Sequence, residues 1–208
     1  MGFPITLSLT NIFHFVSLLS PLFIIFFTII SSIVNNQLVK GLILNMGVVI
    51  VSGIIYLLKN ILKTPQNKDA SLFCNILPAP FTVTSQERDI VYDNPSLASG
   101  VLSFVSTYLI YPMIINKQLN PSILLFMIIL VAINLAVEYQ LKCAGLMSSF
   151  MGILIGMIFA MIYYTILRLN NNEDLLYFTK TLSDNTQCGK PSDKTFKCTI
   201  YKNGQPMN

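Results

Sequence analysis

Long runs of apolar residues, separated by shorter polar segments, make up most of the chain. A helix needs roughly 20 apolar residues to cross the hydrocarbon core of a bilayer. The stretches that reach or approach this length are Ile12–Val34, Leu38–Leu58, Leu97–Ile115, Pro121–Val137 and Gly145–Leu167. The pattern therefore predicts an all-α integral membrane protein, a bundle of about five transmembrane helices.

The first apolar stretch lies where a secretory signal would lie. It is longer than the apolar region of such a signal, with no basic segment before it and no convincing small-residue cleavage site after it. We therefore expect a retained helix. Pro21 should kink this helix, because proline cannot donate a backbone hydrogen bond and clashes with the preceding turn.

The polar segments divide the chain into four parts. Residues 1–58 contain two N-terminal transmembrane helices, and residues 59–96 form a long extramembrane loop. Residues 97–168 contain three more helices, and residues 169–208 form a soluble tail. Loops of this length are usually functional or disordered, so we expect the loop and the tail to carry interactions.

The composition supports a bilayer environment. Of the 208 residues, 53% are hydrophobic and 11% are charged, whereas soluble domains carry about 25% charged residues. The net charge of +4 is small and dispersed, which excludes a nucleic-acid partner. Basic residues near the span ends nearly balance on the two sides, so the positive-inside rule assigns no orientation.

A few polar and small residues lie inside the apolar stretches. Asn45 and Asn134 are expected to form hydrogen bonds between helices, as polar residues in spans often do. Gly152 and Gly156 form a small-xxx-small pair, which allows another helix to approach closely.

The tail carries a two-cysteine segment. Cys188 and Cys198 bracket a turn-forming sequence, and the residues up to the Asn203-Gly204 pair alternate as in a strand, so the pattern predicts a short β-hairpin-like tail. A disulfide, free thiols and a shared metal site all fit these cysteines. Two ligands alone do not close a zinc site, and no metal or other cofactor is predicted.

Three blocks flank the apolar stretches in order: "LKNILKTPQN" (58–67), "NPSLASG" (94–100) and "EYQLKCAGLMSSFMGILIG" (138–156). Together they resemble the three signatures of the type 2 phosphatidic acid phosphatase superfamily, integral-membrane enzymes that hydrolyse lipid phosphates and isoprenoid pyrophosphates. The framework matches at these positions: Lys59, Pro65, Pro95, Ser96, Gly152 and Gly156.

The catalytic positions of that resemblance carry other residues. Gln66 stands where the first signature has its arginine, and Ala98 stands where the second has its histidine. In the third signature, Glu138 replaces the arginine, Ala144 replaces the nucleophilic histidine and Ser148 replaces the aspartate that orients it. The resemblance therefore implies a vestigial phosphate site without catalytic residues.

The chemistry of the resembled family depends on the residues that are replaced. One histidine attacks phosphorus, a second protonates the leaving group, and lysine and arginine side chains hold the phosphate oxygens. The sole histidine here, His14, lies outside every signature. We therefore predict that the protein is not an enzyme.

A second resemblance rests on the tail sequence "CGKPSDKTFKCTIYKNG" and on the Asn, Ile and Lys content. It is similar to membrane proteins of large double-stranded DNA viruses that enclose a lipid bilayer within an icosahedral capsid. This implies a structural minor capsid protein in the virion inner membrane, derived from the host endoplasmic reticulum. Residues 59–96 and 169–208 would contact capsid or other membrane proteins, for example by strand addition.

Two alternatives remain open at the level of sequence. One is an active lipid phosphate phosphatase. The other is a lipid-binding pseudoenzyme, in which Lys59 and Arg88 still hold a phosphate head group.

Overall fold

The structure is a computed structural model that describes residues 8–75, 83–84, 91–169, 175–176, 201–202 and 205–206. The helices in these ranges are α1 (Leu9–Leu18), α2 (Ser20–Val34), α3 (Leu38–Leu62), α4 (Leu97–Ile115), α5 (Pro121–Gln140) and α6 (Leu146–Leu169). A short 3-10 helix covers Leu72–Asn75. The strands are β1 (Val83–Thr84), β2 (Val91–Tyr92), β3 (Tyr201–Lys202) and β4 (Gln205–Pro206).

The mostly helical architecture predicted from the apolar pattern is confirmed. Helices α3 to α6 are each long and apolar enough to cross a membrane, and α1 with α2 makes a fifth candidate if the bent pair is one span. Large apolar side chains cover the outer surface, among them Phe27 at 69% and Met147 at 75% exposure. An apolar surface of this extent is typical of a protein surrounded by lipid.

The first apolar stretch bends sharply next to Pro21, as predicted, and the bend divides it into two helices. Helices α1 and α2 meet at Leu19 with a bend of 62°, and Pro21 lies in the first turn of α2. Because Pro21 has no N–H, it cannot bond to the carbonyl of Ser17. The side-chain amide of Asn134 donates to that carbonyl instead, at 3.2 Å. This contact joins α1 to α5 and stabilises the break.

Helix α4 is the most deeply buried of the four long helices, with 61% of its span inside the protein. It packs against α6 through glycines on both helices. A Cβ atom at Gly156 would meet the carbonyl oxygen of Gly100, and it would lie 2.9 Å from the backbone nitrogen of Phe104. The predicted close approach at Gly152 and Gly156 is therefore confirmed.

The two asparagines within the apolar helices differ in their bonding. Asn134 bonds between helices as predicted. The prediction for Asn45 was wrong, since its amide donates to the Gly41 carbonyl of its own helix at 2.8 Å.

Capping residues set the ends of the helices around the site. The Ser96 hydroxyl accepts a hydrogen bond from the backbone N–H of Ser99 at 3.3 Å and so caps α4. Helix α3 continues to Leu62, and Lys63 follows it in the left-handed conformation at φ 47°. Lys59 therefore lies in the last turn of α3, although we had placed the start of the loop at this residue.

The described part of the loop folds back onto the helix ends. Strands β1 and β2 are antiparallel, with Val83 opposite Tyr92. The backbone N–H of Gln66 donates to the carbonyl of Val91 at 2.8 Å, and that of Ser71 donates to the carbonyl of Leu141 at 3.0 Å. These described parts of the loop thus lie beside the start of α4 and the α5–α6 connection.

The chain divides into two compact units, Met1–Phe178 and Thr179–Asn208. Within the second unit, β3 and β4 are antiparallel and flank residues 203–204. This strand pair agrees with a strand that ends at the Asn203-Gly204 pair, but it does not test the predicted hairpin that carries both tail cysteines. Cys188 and Cys198 lie outside the described residues, so their pairing stays a prediction.

Candidate functional site

A cavity of about 120 Å³ lies where the end of α3 and the start of α4 meet the α5–α6 connection. Six of the eight positions predicted for the vestigial phosphate site line it: Lys59, Gln66, Ser96, Ala98, Glu138 and Ala144. The three sequence blocks, which are far apart along the chain, therefore meet around one space.

The two remaining positions support the cavity wall. Pro95 is fully buried immediately before α4. The Ser148 hydroxyl donates to the carbonyl oxygen of Asp93 at 2.7 Å, and the backbone N–H of Ser96 donates to the carbonyl of Ser148 at 3.0 Å. Direct hydrogen bonds thus join the second sequence block to the third.

Lys59 contributes the only ammonium group among the described residues that line the cavity. Its side chain is 7% exposed, and its Nζ donates to the carbonyl oxygen of Tyr92 at 3.3 Å. The acidic groups whose charges act on it are Asp93 and Glu138. Arg88, which was expected to assist Lys59, lies outside the described residues.

Glu138 is held by serine hydroxyls from two helices. Its Oε1 accepts from Ser96 Oγ at 2.6 Å, and its Oε2 accepts from Ser99 Oγ at 2.8 Å and from Ser149 Oγ at 2.7 Å. The residue is only 3% exposed. Hydrogen bonds of this kind, from hydroxyl to carboxylate, are short and strong. Glu138 therefore has a fixed orientation at a position where the resembled family has a cation.

Asp93 is a cavity residue that the sequence analysis missed. Its Oδ2 accepts a hydrogen bond from the backbone N–H of Gly145 at 3.4 Å. Its Oδ1 is buried and has no hydrogen-bond partner among the described protein atoms. Burial raises the pKa of Asp93 above its ordinary value, while the Gly145 bond and the charge of Lys59 act in the opposite direction. The sequence offered one indication of Asp93 as a site residue, namely its position two residues before Pro95 of the second sequence block.

A disulfide that we had not predicted lies on the cavity wall. Cys74 of the 3-10 helix is bonded to Cys143 of the α5–α6 connection, and the two are 69 positions apart in sequence. The Gln66 side-chain amide donates to the carbonyl oxygen of Cys143 at 2.8 Å. Unlike the neighbouring tail cysteines, a pair so far apart in sequence is recognisable only once the chain is folded.

Six further lining residues are apolar, apart from their backbone, and belong to the broken first stretch. They are Phe15, Leu18, Leu19, Pro21, Leu22 and Ile25. The sequence blocks gave no indication of this apolar wall, because α1 and α2 precede all of them. The cavity lining therefore combines the polar side chains of Lys59, Asp93 and Glu138 with apolar side chains of α1 and α2.

These groups can form hydrogen bonds and electrostatic contacts with a ligand. Ala98 and Ala144 contribute methyl groups, which neither attack phosphorus nor transfer a proton. The described residues include no cluster of three or more His, Cys, Asp or Glu side chains that could hold a metal ion.

Searches of protein-family profiles, of curated proteins and of solved structures found no match to this chain.

Proposed function

We propose that this chain is a non-enzymatic membrane protein whose helical scaffold is related to the type 2 phosphatidic acid phosphatases. The observation that carries the proposal is the meeting of the three sequence blocks at one cavity. A chance similarity of three short blocks would not require their equivalent positions to share a single space. Four long apolar helices, together with the bent pair, provide the membrane-embedded body.

The absence of catalysis in this proposal follows from the chemistry at the replaced positions. Ala98 and Ala144 leave the cavity without the general acid and the nucleophile of the family mechanism. Glu138 adds a negative charge where a phosphate-binding arginine would stand, and phosphoryl transfer needs fixed positive charge there.

We further propose that the protein has a structural role, as a viral minor capsid protein that anchors a capsid shell to the inner membrane of the virion. The support for this part is the sequence resemblance of the tail and the strand pairing of β3 with β4, since a short hairpin can add to the edge of a partner's sheet. Residues 59–96 and 169–208 are the segments proposed to contact capsid or other membrane proteins.

Cross-linking mass spectrometry on intact particles tests the structural role. We expect lysines of the tail, such as Lys190 and Lys194, to cross-link to a shell protein. Detergent-solubilised protein mixed with the same shell proteins serves as the control for random collision. Exclusive cross-links to other membrane proteins, or absence of the chain from particles, would exclude this role.

A lipid-binding pseudoenzyme is a second candidate, and the mixed lining of the cavity favours it. Polar and apolar side chains that line one cavity match the chemistry of a lipid, in which a head group adjoins a hydrocarbon chain. This candidate is compatible with the structural role, because bound lipid can stabilise a membrane protein without being turned over.

An active phosphatase is the alternative that enzymology can exclude. The purified full chain is incubated with phosphatidic acid in mixed micelles, and inorganic phosphate is measured. We expect no release above the rate in protein-free micelles. Vanadate-sensitive release would contradict the proposed function.

A further inference from the structure

The inference concerns the chemistry of the ligand that fits the cavity between α1–α2 and Lys59. We propose that the cavity binds an amphiphile with an uncharged hydroxyl head group, and that it disfavours the same amphiphile when its head bears a phosphate. The proposal deepens the proposed function, because it names the ligand class of the same site.

The charges around the cavity are the first reason to expect an uncharged head group. Lys59 is the only cation that lines it among the described residues, while Asp93 and Glu138 contribute two carboxyl groups. The described part of the cavity lining thus holds two carboxyl groups against a single ammonium group. A phosphate monoester would add a charge of about −1.5 to −2. Repulsion between like charges is strong in a partly buried site, so this head group is disfavoured.

The hydrogen-bonding groups of the cavity are the second reason, because they suit a hydroxyl head group. The Lys59 ammonium has three N–H donors, and one of them bonds to the Tyr92 carbonyl. A hydroxyl group can accept from Lys59 without adding charge to the cavity. An amine head would instead meet the ammonium of Lys59 as a second cation.

The apolar residues of the cavity lining are the third reason, because they suit a hydrocarbon chain. Phe15, Leu18, Leu22 and Ile25 line the cavity together with its polar groups. A cavity of about 120 Å³ has room for a small head group and the start of one hydrocarbon chain, since a single water needs about 10–15 Å³ by this measure. The rest of the chain would run along α1 and α2, whose outer faces expose Phe23, Phe26 and Phe27.

Three probes that share one C18 monounsaturated chain test the head-group preference. The purified full chain in nanodiscs is titrated with tritiated 1-monooleoylglycerol, and unlabelled 1-monooleoylglycerol, oleoyl lysophosphatidic acid and oleylamine are used as competitors. We expect monooleoylglycerol to compete at least about tenfold more strongly than either charged probe, the discrimination expected when a buried polar group loses its partner.

Three single substitutions test whether the head-group preference arises at the cavity. Asp93→Asn removes one negative charge and should reduce the discrimination against lysophosphatidic acid to about a third or less. Asp69→Asn is the matched control, because Asp69 is an exposed loop carboxylate in an ion pair with Lys142 at 3.2 Å, and it should leave all three affinities unchanged. Leu22→Trp fills the apolar wall and should abolish saturable binding, while circular dichroism verifies that each variant is folded.

Several results would overturn the inference. Lysophosphatidic acid that competes as well as monooleoylglycerol would show that the cavity still prefers phosphate. No saturable binding of any probe would identify a merely hydrated cavity, and an unchanged Asp93→Asn variant would place binding elsewhere. Phosphate release in the separate assay would refute the proposed function and not this binding preference, so the two failures are distinguishable.

Discussion

At the scale of single residues, Glu138 is a cavity side chain whose burial depends on its hydrogen-bond donors. It is buried, and three serine hydroxyls from α4 and α6 donate to its two oxygens. A carboxylate without these donors would be costly at this depth. Without the carboxylate, the Ser96 and Ser149 hydroxyls would lose their acceptor, and Ser99 Oγ would keep only the Asn134 Oδ1 at 3.5 Å. The cluster therefore stabilises the fold, and it fixes the negative charge that distinguishes this site from a phosphate-binding one.

Substitution of Glu138 should measure this contribution. We expect Glu138→Ala to lower the free energy of unfolding by about 3 kcal/mol, because three buried hydroxyls lose a carboxylate acceptor and a cavity opens. Glu138→Gln keeps the shape and one acceptor oxygen, so its loss should be smaller. Thermal unfolding in detergent measures both variants against Asp69→Asn. A Glu138→Ala variant as stable as the control would show that the cluster contributes nothing.

Asp93 should make stability depend on pH in a defined direction. Burial raises its pKa in the folded protein above the ordinary value of 3.8, so the folded state binds the proton more tightly than the unfolded state does. The contribution of Asp93 to stability is therefore present at low pH and is lost as the pH rises from 3.8 through the folded pKa.

The Asp93→Asn variant isolates this effect because its side chain does not titrate. Relative to the wild type, the variant should gain stability as the pH rises through that window, and the difference should become constant above it. Melting temperatures of both proteins across a pH series provide the measurement. A difference that changes in the opposite direction, or not at all, would contradict the assigned direction of the pKa shift.

At the scale of helices and strands, local signals predicted much of what the structure contains. The bounds of α4 match the apolar stretch Leu97–Ile115, because Ser96 caps its start and the hydrophobic run ends with it. The start of α5 at Pro121 follows from the Asn120 cap and the tolerance of proline in a first turn. Signals of this kind act within a few residues, and the sequence displays them directly.

Features that depend on distant residues could not be predicted in the same way. The break at Leu19 is stabilised by Asn134, a residue 117 positions from its partner Ser17. The disulfide joins residues 69 positions apart, and the apolar cavity wall comes from helices outside every sequence block. The candidate site was predicted in its polar half because the three blocks supplied it, whereas Asp93 and the wall of α1 and α2 required the folded chain.

The contact between α4 and α6 should tolerate no side chain at Gly156. A Cβ atom there would meet the backbone of Gly100 and Phe104, and backbone atoms cannot rotate away. We expect Gly156→Ala to lower the free energy of unfolding by about 1–3 kcal/mol, as overpacking does. Gly53→Ala is the matched control, because nothing lies within 4 Å of a Cβ at that position of α3.

The control variant should be as stable as the wild type, or slightly more stable because alanine favours helix. Both variants are compared by thermal unfolding in the same detergent. Equal stability of Gly156→Ala and Gly53→Ala would mean that the two helices are not packed at the distance described here.

At the scale of the whole molecule, the disulfide has a consequence for orientation. Disulfides persist in oxidising compartments and are rare in the cytosol. Cys74 and Cys143 both lie at the end of the bundle that carries the α3–α4 loop. We therefore expect this end to face an oxidising compartment, which is the lumen when the chain is inserted into microsomes, whereas the charge pattern of the sequence assigned no orientation.

Engineered glycosylation tests this orientation. The sequence has no Asn-X-Ser/Thr acceptor with X other than proline, and Asp69→Thr completes one that starts at Asn67 in the loop. On expression in microsomes, we expect this variant to gain a glycan that an endoglycosidase removes. Gln187→Thr completes an acceptor at Asn185 in the tail, and five crossings predict that it stays unmodified. The reverse result would invert the orientation.

The claim on which the whole account depends is that the helical scaffold contains a phosphatase-like cavity that does not hydrolyse phosphate esters. Its most direct test is phosphate release by the purified, folded full chain from phosphatidic acid, with an active enzyme of the superfamily as the positive control and Lys59→Ala as the site variant. The account predicts release at the protein-free rate for both the wild type and the variant. Vanadate-sensitive release by the wild type that Lys59→Ala abolishes would contradict it.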